Sequence, residues 1–442
     1  MKRAQQHPAA RLHVLPNGLR VVAVALPHLS TGHAALFTRA GPRHETDATH
    51  GLSHFVEHML FRGCGPWRTS REVALHAESF MGSLEGTTWR DHAVYATAFR
   101  RGGADDAVAL LGQMMRAPRF AHLAPEKSVI LEEIGECFDE DGAEIDPDNL
   151  ARAALYPAHP AGRSIDGSLQ SVARFGRRQL WAHHHRFHVG RNLVLAVAGD
   201  VDPARVTRLA RRHLGALPAG TAPGLPGGTP VPLRRPRLVH VRQPGPQTQL
   251  RLSFATPGAR HPDAWPLQLL RRVLDDGFAS RLQAELVDRA GLAYELWAEV
   301  DLGEDAGAFD FGALVTRGKE VRTLRALLRE VDRLARHGPG RAELARARQR
   351  FAYGLEQMHD HAASVAEWHG RGTLFGLPTD PRAALRLAAA VTPAAVRRVA
   401  AAVFRAPSVV ATAIGAVPRA ELSHMRALLV RRGGDPAVRR FP

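Results

Sequence analysis

Phe37-Thr38-Arg39-Ala40-Gly41-Pro42-Arg43-His44 returns in altered form as Phe254-Ala255-Thr256-Pro257-Gly258-Ala259-Arg260-His261, an offset of 217 residues. Each copy follows an apolar strand-like run and precedes a helix-like one. Near the end of each half, Val197-Ala198-Gly199-Asp200 answers to Ala413-Ile414-Gly415-Ala416 at an offset of 216. Two matches at nearly one offset mark an internal duplication. Between the copies runs Leu217-Pro-Ala-Gly-Thr-Ala-Pro-Gly-Leu-Pro-Gly-Gly-Thr-Pro-Val-Pro232, a concentration of proline and glycine that neither helix nor central strand tolerates. The expected organisation is an N-terminal domain at 1–218, a linker at 219–237 and a homologous C-terminal domain at 238–442. A chain of 442 residues is long enough for two such cores.

Leu19 to Val24 and Ala34 to Arg39 read as strands bounded by the Pro16-Asn17-Gly18 turn and by Gly41-Pro42. Gly51 to Phe61 has helical length and spacing, Ala93 to Phe99 reads as a strand before a helix at 104–115, and Pro125 opens another helix. Asn192 to Ala198 is an apolar strand. Hairpin-like pairs recur among the helices, so the expected fold class is α+β: two layered domains with mainly antiparallel sheets flanked by helices.

Hydrophobic residues make up 45% and charged residues 23%, which excludes disorder, collagen and extended coiled coil. No apolar run reaches the length of a membrane span. The residues after Lys2 and Arg3, namely Gln5, Gln6, His7 and Pro8, lack the apolar stretch of a secretory signal, and two cysteines, Cys64 and Cys137, make no disulfide framework. Both features point to the bacterial cytoplasm. The net charge of +16 is almost all arginine, since only Lys2, Lys127 and Lys319 are lysines. The arginines are scattered and have no interleaved aromatic residues, so nucleic acid is not an expected partner.

The stretch that carries chemistry is Gly51-Leu52-Ser53-His54-Phe55-Val56-Glu57-His58-Met59-Leu60-Phe61. On a helix His54 and His58 stand at i and i+4, so two imidazoles can meet one tetrahedral zinc. Glu57 is one turn from His54 and next to His58, near enough to take a proton from water at the metal without occupying it. The order His-x-x-Glu-His is the inverted form of the commoner zinc-protease motif. A catalytic zinc needs a third protein ligand. Glu126 and Glu133, seven residues apart in Pro125-Glu-Lys-Ser-Val-Ile-Leu-Glu-Glu-Ile-Gly-Glu136, share a helical stripe, so that one can bind metal while the other orients a histidine. Glu132 and Glu136 read as a solvated acidic face. His183-His184-His185 point in different directions on any regular element and read as surface scatter. Cys64 reads as a small buried hydrophobe, and Asp91 and His92 lie near the cleft region without an assigned role.

The chain resembles the pitrilysin, insulysin and mitochondrial-processing-peptidase group of zinc metallopeptidases, in its half-size bacterial branch. The inverted motif carries the resemblance, with Glu126 and Glu133 downstream and Asn17-Gly18-Leu19, Gly41-Pro42-Arg43, His159-Pro160, Ser280-Arg281-Leu282 and Gly291-Leu292-Ala293-Tyr294 elsewhere. It implies one zinc ion per chain on His54, His58 and Glu133, Glu57 as general base and Glu126 as the supporting carboxylate. It also implies that Leu84, Glu85, Gly86 and Thr88 line the peptide, that Tyr294 contacts the substrate or transition state, and that two subunits enclose a chamber. Two departures accompany the match. Val287 stands where relatives carry an arginine seven residues before the tyrosine, leaving Arg281 and Arg289 as substitutes, and Glu85 stands where asparagine is usual. The first departure suggests a catalytic subunit of a heterodimer whose zinc-motif-lacking partner supplies an arginine and a tyrosine. The function implied is a zinc endopeptidase acting on peptides or leader segments; the alternative is a non-catalytic structural or peptide-binding subunit.

Overall fold

The computed structural model describes residues 9–434, so the stretch read for a leader, Lys2 to Pro8, lies outside the described residues. Among the described residues no helix is long and apolar enough to cross a membrane. The chain divides into two compact units.

The first unit holds a six-stranded sheet of β1 (Ala10–Val14), β2 (Arg20–Ala25), β3 (Thr31–Thr38), β4 (Leu84–Thr88), β5 (Ala93–Arg100) and β6 (Leu193–Gly199), in the order β1-β2-β6-β3-β5-β4. The second holds a five-stranded sheet of β7 (Arg237–Val241), β8 (Gln247–Pro257), β9 (Glu295–Leu302), β10 (Ala306–Thr316) and β11 (Val409–Ile414), in the order β7-β11-β8-β10-β9. With β1 set aside the two orders are the same. The one parallel pair also falls in the same place, β2 with β6 and β7 with β11, and every other neighbour is antiparallel. This is the α+β duplication that the sequence repeats imply. The inner strands β6 and β11 are buried at every residue, which is why both read as continuous apolar runs rather than alternating ones. Strands β4 and β9 are sheet edges.

The units are not continuous in sequence. The first comprises the chain up to Glu136, Arg163–Pro226 and Gly354–Ala384; the second comprises Cys137–Gly162, Gly227–Tyr353 and the chain from Leu385. Each sheet thus takes a helix from beyond the 219–237 linker, a departure from domains cut at that linker alone. Helix Pro147–Leu155, capped by Asp146 on the Asn149 amide at 2.7 Å, packs on the second sheet. There Leu155 and Tyr156 join a core with Leu233, Ala308 and Val410. Its Arg152 forks onto buried Asp310 of β10 at 3.1 and 2.8 Å, and Arg251 of β8 reaches the same carboxylate at 3.0 Å. In return, helix Ala362–Phe375 packs on β3 and β6. Arg20 and Arg39 donate at 2.8 Å to its last-turn carbonyls at Thr373 and Leu374, which have no partner within the helix.

One expectation is overturned. His183 and His184 are not surface scatter: they are buried at 5% and 4% exposure, while His185 is exposed. Helix Arg177–Phe187 turns Leu180, His183, His184 and Phe187 inward, the i, i+3, i+4, i+7 pattern of a core face. His184 stacks on His188 with centroids 4.6 Å apart, and His188 Nε2 lies 3.0 Å from the Tyr95 hydroxyl. Cys64 is buried as expected, and burial pushes its thiol up to about 12.

Candidate metal centre

The helix Leu52–Leu60 begins without a side-chain N-cap of its own. Glu45 takes that role from outside, accepting from the amides of Gly51 at 2.8 Å and Ser53 at 2.7 Å; burial pushes its carboxyl up to about 7 against the pull of these bonds. Phe55, Val56, Met59 and Leu60 are fully buried. That fixes the rotation of the helix and turns His54 and His58 the other way. Their Nε2 atoms lie 3.1 Å apart with the rings at 79°.

Helix Leu123–Glu136 brings both acidic residues of its stripe to these rings. Glu133 Oε2 is 3.5 Å from His58 Nε2 and 4.0 Å from His54 Nε2. Glu126, only 3% exposed, sets Oε1 2.8 Å from His58 Nδ1, and its other oxygen pairs with Arg62. Glu132 and Glu136 are exposed. His54, His58 and Glu133 form the one group among the described residues whose donor atoms converge closely enough for a metal ion. Tetrahedral zinc with bonds of about 2.1 Å separates its ligand atoms by roughly 3.4 Å. The distances of 3.1, 3.5 and 4.0 Å bracket that spacing, and the two-imidazole, one-carboxylate donor set suits zinc.

Burial and neighbouring charges act differently on the three donors, and burial raises the Glu133 carboxyl against the pull of His58. Burial and the neighbouring His58 push His54 down to about 3, so its ring is neutral. Burial also opposes charge on His58, but the bond to Glu126 and the carboxylates of Glu133 and Glu57 raise it overall. Glu126 is lowered because its bonds to His58 and Arg62 outweigh its burial. Glu57 is 8% exposed; burial raises its carboxyl, and the bond from Thr88 opposes the rise.

Edge strand β4 closes against the motif helix. Leu84, Gly86 and Thr88 alternate toward it, whereas Glu85 is exposed on the other face and accepts from Ser83 Oγ at 2.8 Å. Thr88 is buried, and its hydroxyl donates to Glu57 Oε2 at 2.7 Å, so this side chain is turned onto Glu57 rather than outward. At Gly86 the strand comes up against the catalytic candidate: a Cβ there would stand 2.4 Å from Glu57 Oε1 and 2.6 Å from the Phe61 ring, so any side chain would push the Glu57 carboxylate aside. Beside Glu57 opens a cavity of about 390 Å³ lined by His58, Phe61, Arg62, Leu84 and Gly86 among others.

Asp166 is a neighbour that sequence reasoning missed. Its Oδ1 lies 3.5 Å from His54 Nδ1, and it sits in a loop with no spacing relation to the motif.

In the second unit, Tyr294 is 91% exposed immediately before edge strand β9. Val287 lies in the short π-helix Gln283–Asp288. Neither substitute arginine is free. Arg281 is bidentate to Glu343 at 2.7 and 2.8 Å, and Arg289 grips Glu285 one turn earlier at 2.7 Å.

Residues 20–167 match the family model for insulinase (peptidase family M16), and residues 174–351 that of the peptidase M16 inactive domain. An uncharacterised zinc protease of Mycobacterium tuberculosis is 32% identical over 381 residues, spanning 84% of this chain and 86% of its own length. The mitochondrial-processing peptidase subunit beta of Blastocladiella emersonii is 27% identical over 425 residues, or 90% and 88% of the two chains. A protease from Helicobacter pylori shares the fold at a TM-score of 0.84 and 19% identity, over 92% of this chain and 99% of that one. The chain belongs to the insulinase family, peptidase family M16.

Proposed function

We propose that this protein is a zinc-dependent endopeptidase that hydrolyses peptides and unstructured leader segments. The observation that carries the reading is the convergence of His54 Nε2, His58 Nε2 and Glu133 Oε2, with the Glu57 carboxylate on the adjoining position of the same helix. His54, His58 and Glu133 would hold the ion. Bound zinc supplies Lewis acidity toward the scissile carbonyl and acidifies water. Glu57 takes the proton of the attacking water and delivers it to the leaving amine. Thr88 holds Oε2, which leaves Oε1 for that transfer and fixes the carboxylate's rotation. Glu126 binds His58 at Nδ1 and so presents Nε2 to the ion.

The free edge of β4 receives the substrate as an added strand through the backbone of Leu84, Glu85 and Gly86. A peptide must be extended to pair there, which favours unfolded segments over folded domains. Glu57→Gln tests the reading: an enzyme loses turnover and keeps its zinc, whereas a non-catalytic peptide-binding subunit shows no functional change.

The same reading makes this chain the zinc-bearing member of a two-subunit enclosure. Tyr294 is exposed and ready for substrate, but Val287 offers no positive charge and Arg281 and Arg289 are committed to Glu343 and Glu285. A homologue lacking the zinc motif would supply the arginine and tyrosine pair. Full activity of this chain as a homodimer would remove that part of the proposal and leave the zinc chemistry standing.

A further inference from the structure

Histidine ligands that present Nε2 to a metal carry their hydrogen on Nδ1, and that hydrogen needs an acceptor. For His58 the acceptor is Glu126 at 2.8 Å. For His54 the Nδ1 atom is buried and has no hydrogen-bond partner, and the group facing it is the Asp166 carboxylate at 3.5 Å. We propose that Asp166 is a positioning residue for His54, the counterpart of Glu126 on the other ring; the proposal rests on the reading of His54 as a zinc ligand. A shift of about 0.5 Å brings the pair within ordinary bonding distance.

The loop that carries Asp166 is built to hold it there. Gly51 (φ +91) and Gly167 (φ +90) meet backbone to backbone: a Cβ on Gly51 would lie 2.6 Å from the Asp166 carbonyl oxygen, and one on Gly167 would lie 2.6 Å from Gly51 Cα. Only glycine at both positions lets the loop dock directly on the first turn of the motif helix. Ser164 Oγ donates to the Gly167 carbonyl at 2.8 Å, His50 Nε2 lies 3.1 Å from the Ser164 carbonyl oxygen, and Arg163 pairs with Asp47 at 2.7 Å. The loop is therefore tied both to itself and to the segment leading into the helix. Asp166 is held one residue from the glycine contact, so its distance to His54 is set by the same docking.

The test is zinc affinity, measured on the full chain by competition with a chromophoric chelator, for the wild type, Asp166→Ala and Asp166→Asn. Thermal unfolding of the zinc-free proteins is recorded beside it. Removing an outer partner of a metal-bound histidine characteristically weakens binding 10- to 100-fold, and that is the loss expected for Asp166→Ala. Asp166→Asn keeps an oxygen that accepts the same bond and is expected to stay within about threefold of wild type. Zinc-free melting is expected to be unchanged in both. Unaltered zinc affinity in Asp166→Ala overturns the proposal. Equal losses in both variants also overturn it, since they make the effect one of charge alone. Should the alanine variant not fold, the asparagine variant decides, a large loss counting against. A wild type that binds no zinc removes the ligand reading itself, a result distinct from either of these.

Discussion

Thr88 Oγ1 donates to Glu57 Oε2 at 2.7 Å, joining edge strand β4 to the helix that carries both histidines. The bond opposes the burial that raises the Glu57 carboxyl, so it keeps the base ionised toward lower pH. Thr88→Val removes it with little change of shape. Turnover is expected to fall about tenfold, the equivalent of one hydrogen bond to a charged group, and the acidic limb of the kcat/KM profile to move to higher pH. A profile that keeps its position counts against this role for Thr88.

Glu126 lies 2.8 Å from His58 Nδ1 and pairs with Arg62 through its other oxygen. In Glu126→Ala both His58 and Arg62 lose their carboxylate partner, and zinc affinity is expected to drop 10- to 100-fold with Glu57 untouched. Glu126→Gln keeps an acceptor for His58 and is expected to lose less. Titration with a competing chelator distinguishes the two variants.

Asp310 is fully buried and receives both Arg152 and Arg251; these arginines hold its carboxyl well below the usual range. Asp310→Ala leaves Arg152, itself 3% exposed, without its closest counter-charge. The expected cost is about 3–5 kcal/mol, because an uncompensated buried charge is worse than none. Chemical denaturation followed by near-ultraviolet dichroism measures it; a loss under about 1 kcal/mol means that Asp148 and Asp301 take over the neutralisation.

Burial pushes His183 and His188 down to about 3 and His184 to about 2, with mutual repulsion and the charges of His44, His185 and Arg186 adding to the shift. Their folded values lie below the unfolded value near 6.5, so below that pH the unfolded chain binds more protons. The stability they allow is complete above about pH 6.5 and is lost as pH falls toward 3, by at most about 1.4 kcal/mol per pH unit for each histidine. Urea midpoints at pH 7.5 and 5.0 are expected to differ strongly. His184→Leu is expected to narrow that difference, and an unchanged difference assigns the acid sensitivity elsewhere.

The sequence made some of this legible and not the rest, for physical reasons. Helical periodicity is local, so His54 and His58 at i, i+4 and Glu126 and Glu133 two turns apart could be assigned to shared faces before any fold was known. The 217-residue offset exposed the duplication because the matched segment, Phe37 to His44, closes the corresponding strand β3 and its partner closes β8. The helices Pro147–Leu155 and Ala362–Phe375 show apolar faces, but a face states that it will be buried and not on which sheet. Their exchange across the linker was therefore not readable. The burial of His183 and His184 is not a property of the contiguous histidine run but of the i, i+3, i+4, i+7 face they share with Leu180 and Phe187, from which His185 points away. Asp166 had no periodic relation to anything; it reaches His54 through the contact between Gly51 and Gly167, which is purely tertiary.

Hydrolysis of a quenched fluorogenic decapeptide mixture by the purified chain, before and after removal of metal with a chelator and again after zinc is restored, tests the central claim most directly. Turnover that the chelator abolishes and zinc restores, and that Glu57→Gln lacks although it binds zinc as the wild type does, is the expected result, either from this chain alone or after addition of a homologue that lacks the zinc motif. Turnover indifferent to the chelator, or retained in full by Glu57→Gln, would contradict the assignment of His54, His58, Glu133 and Glu57 to a zinc peptidase centre.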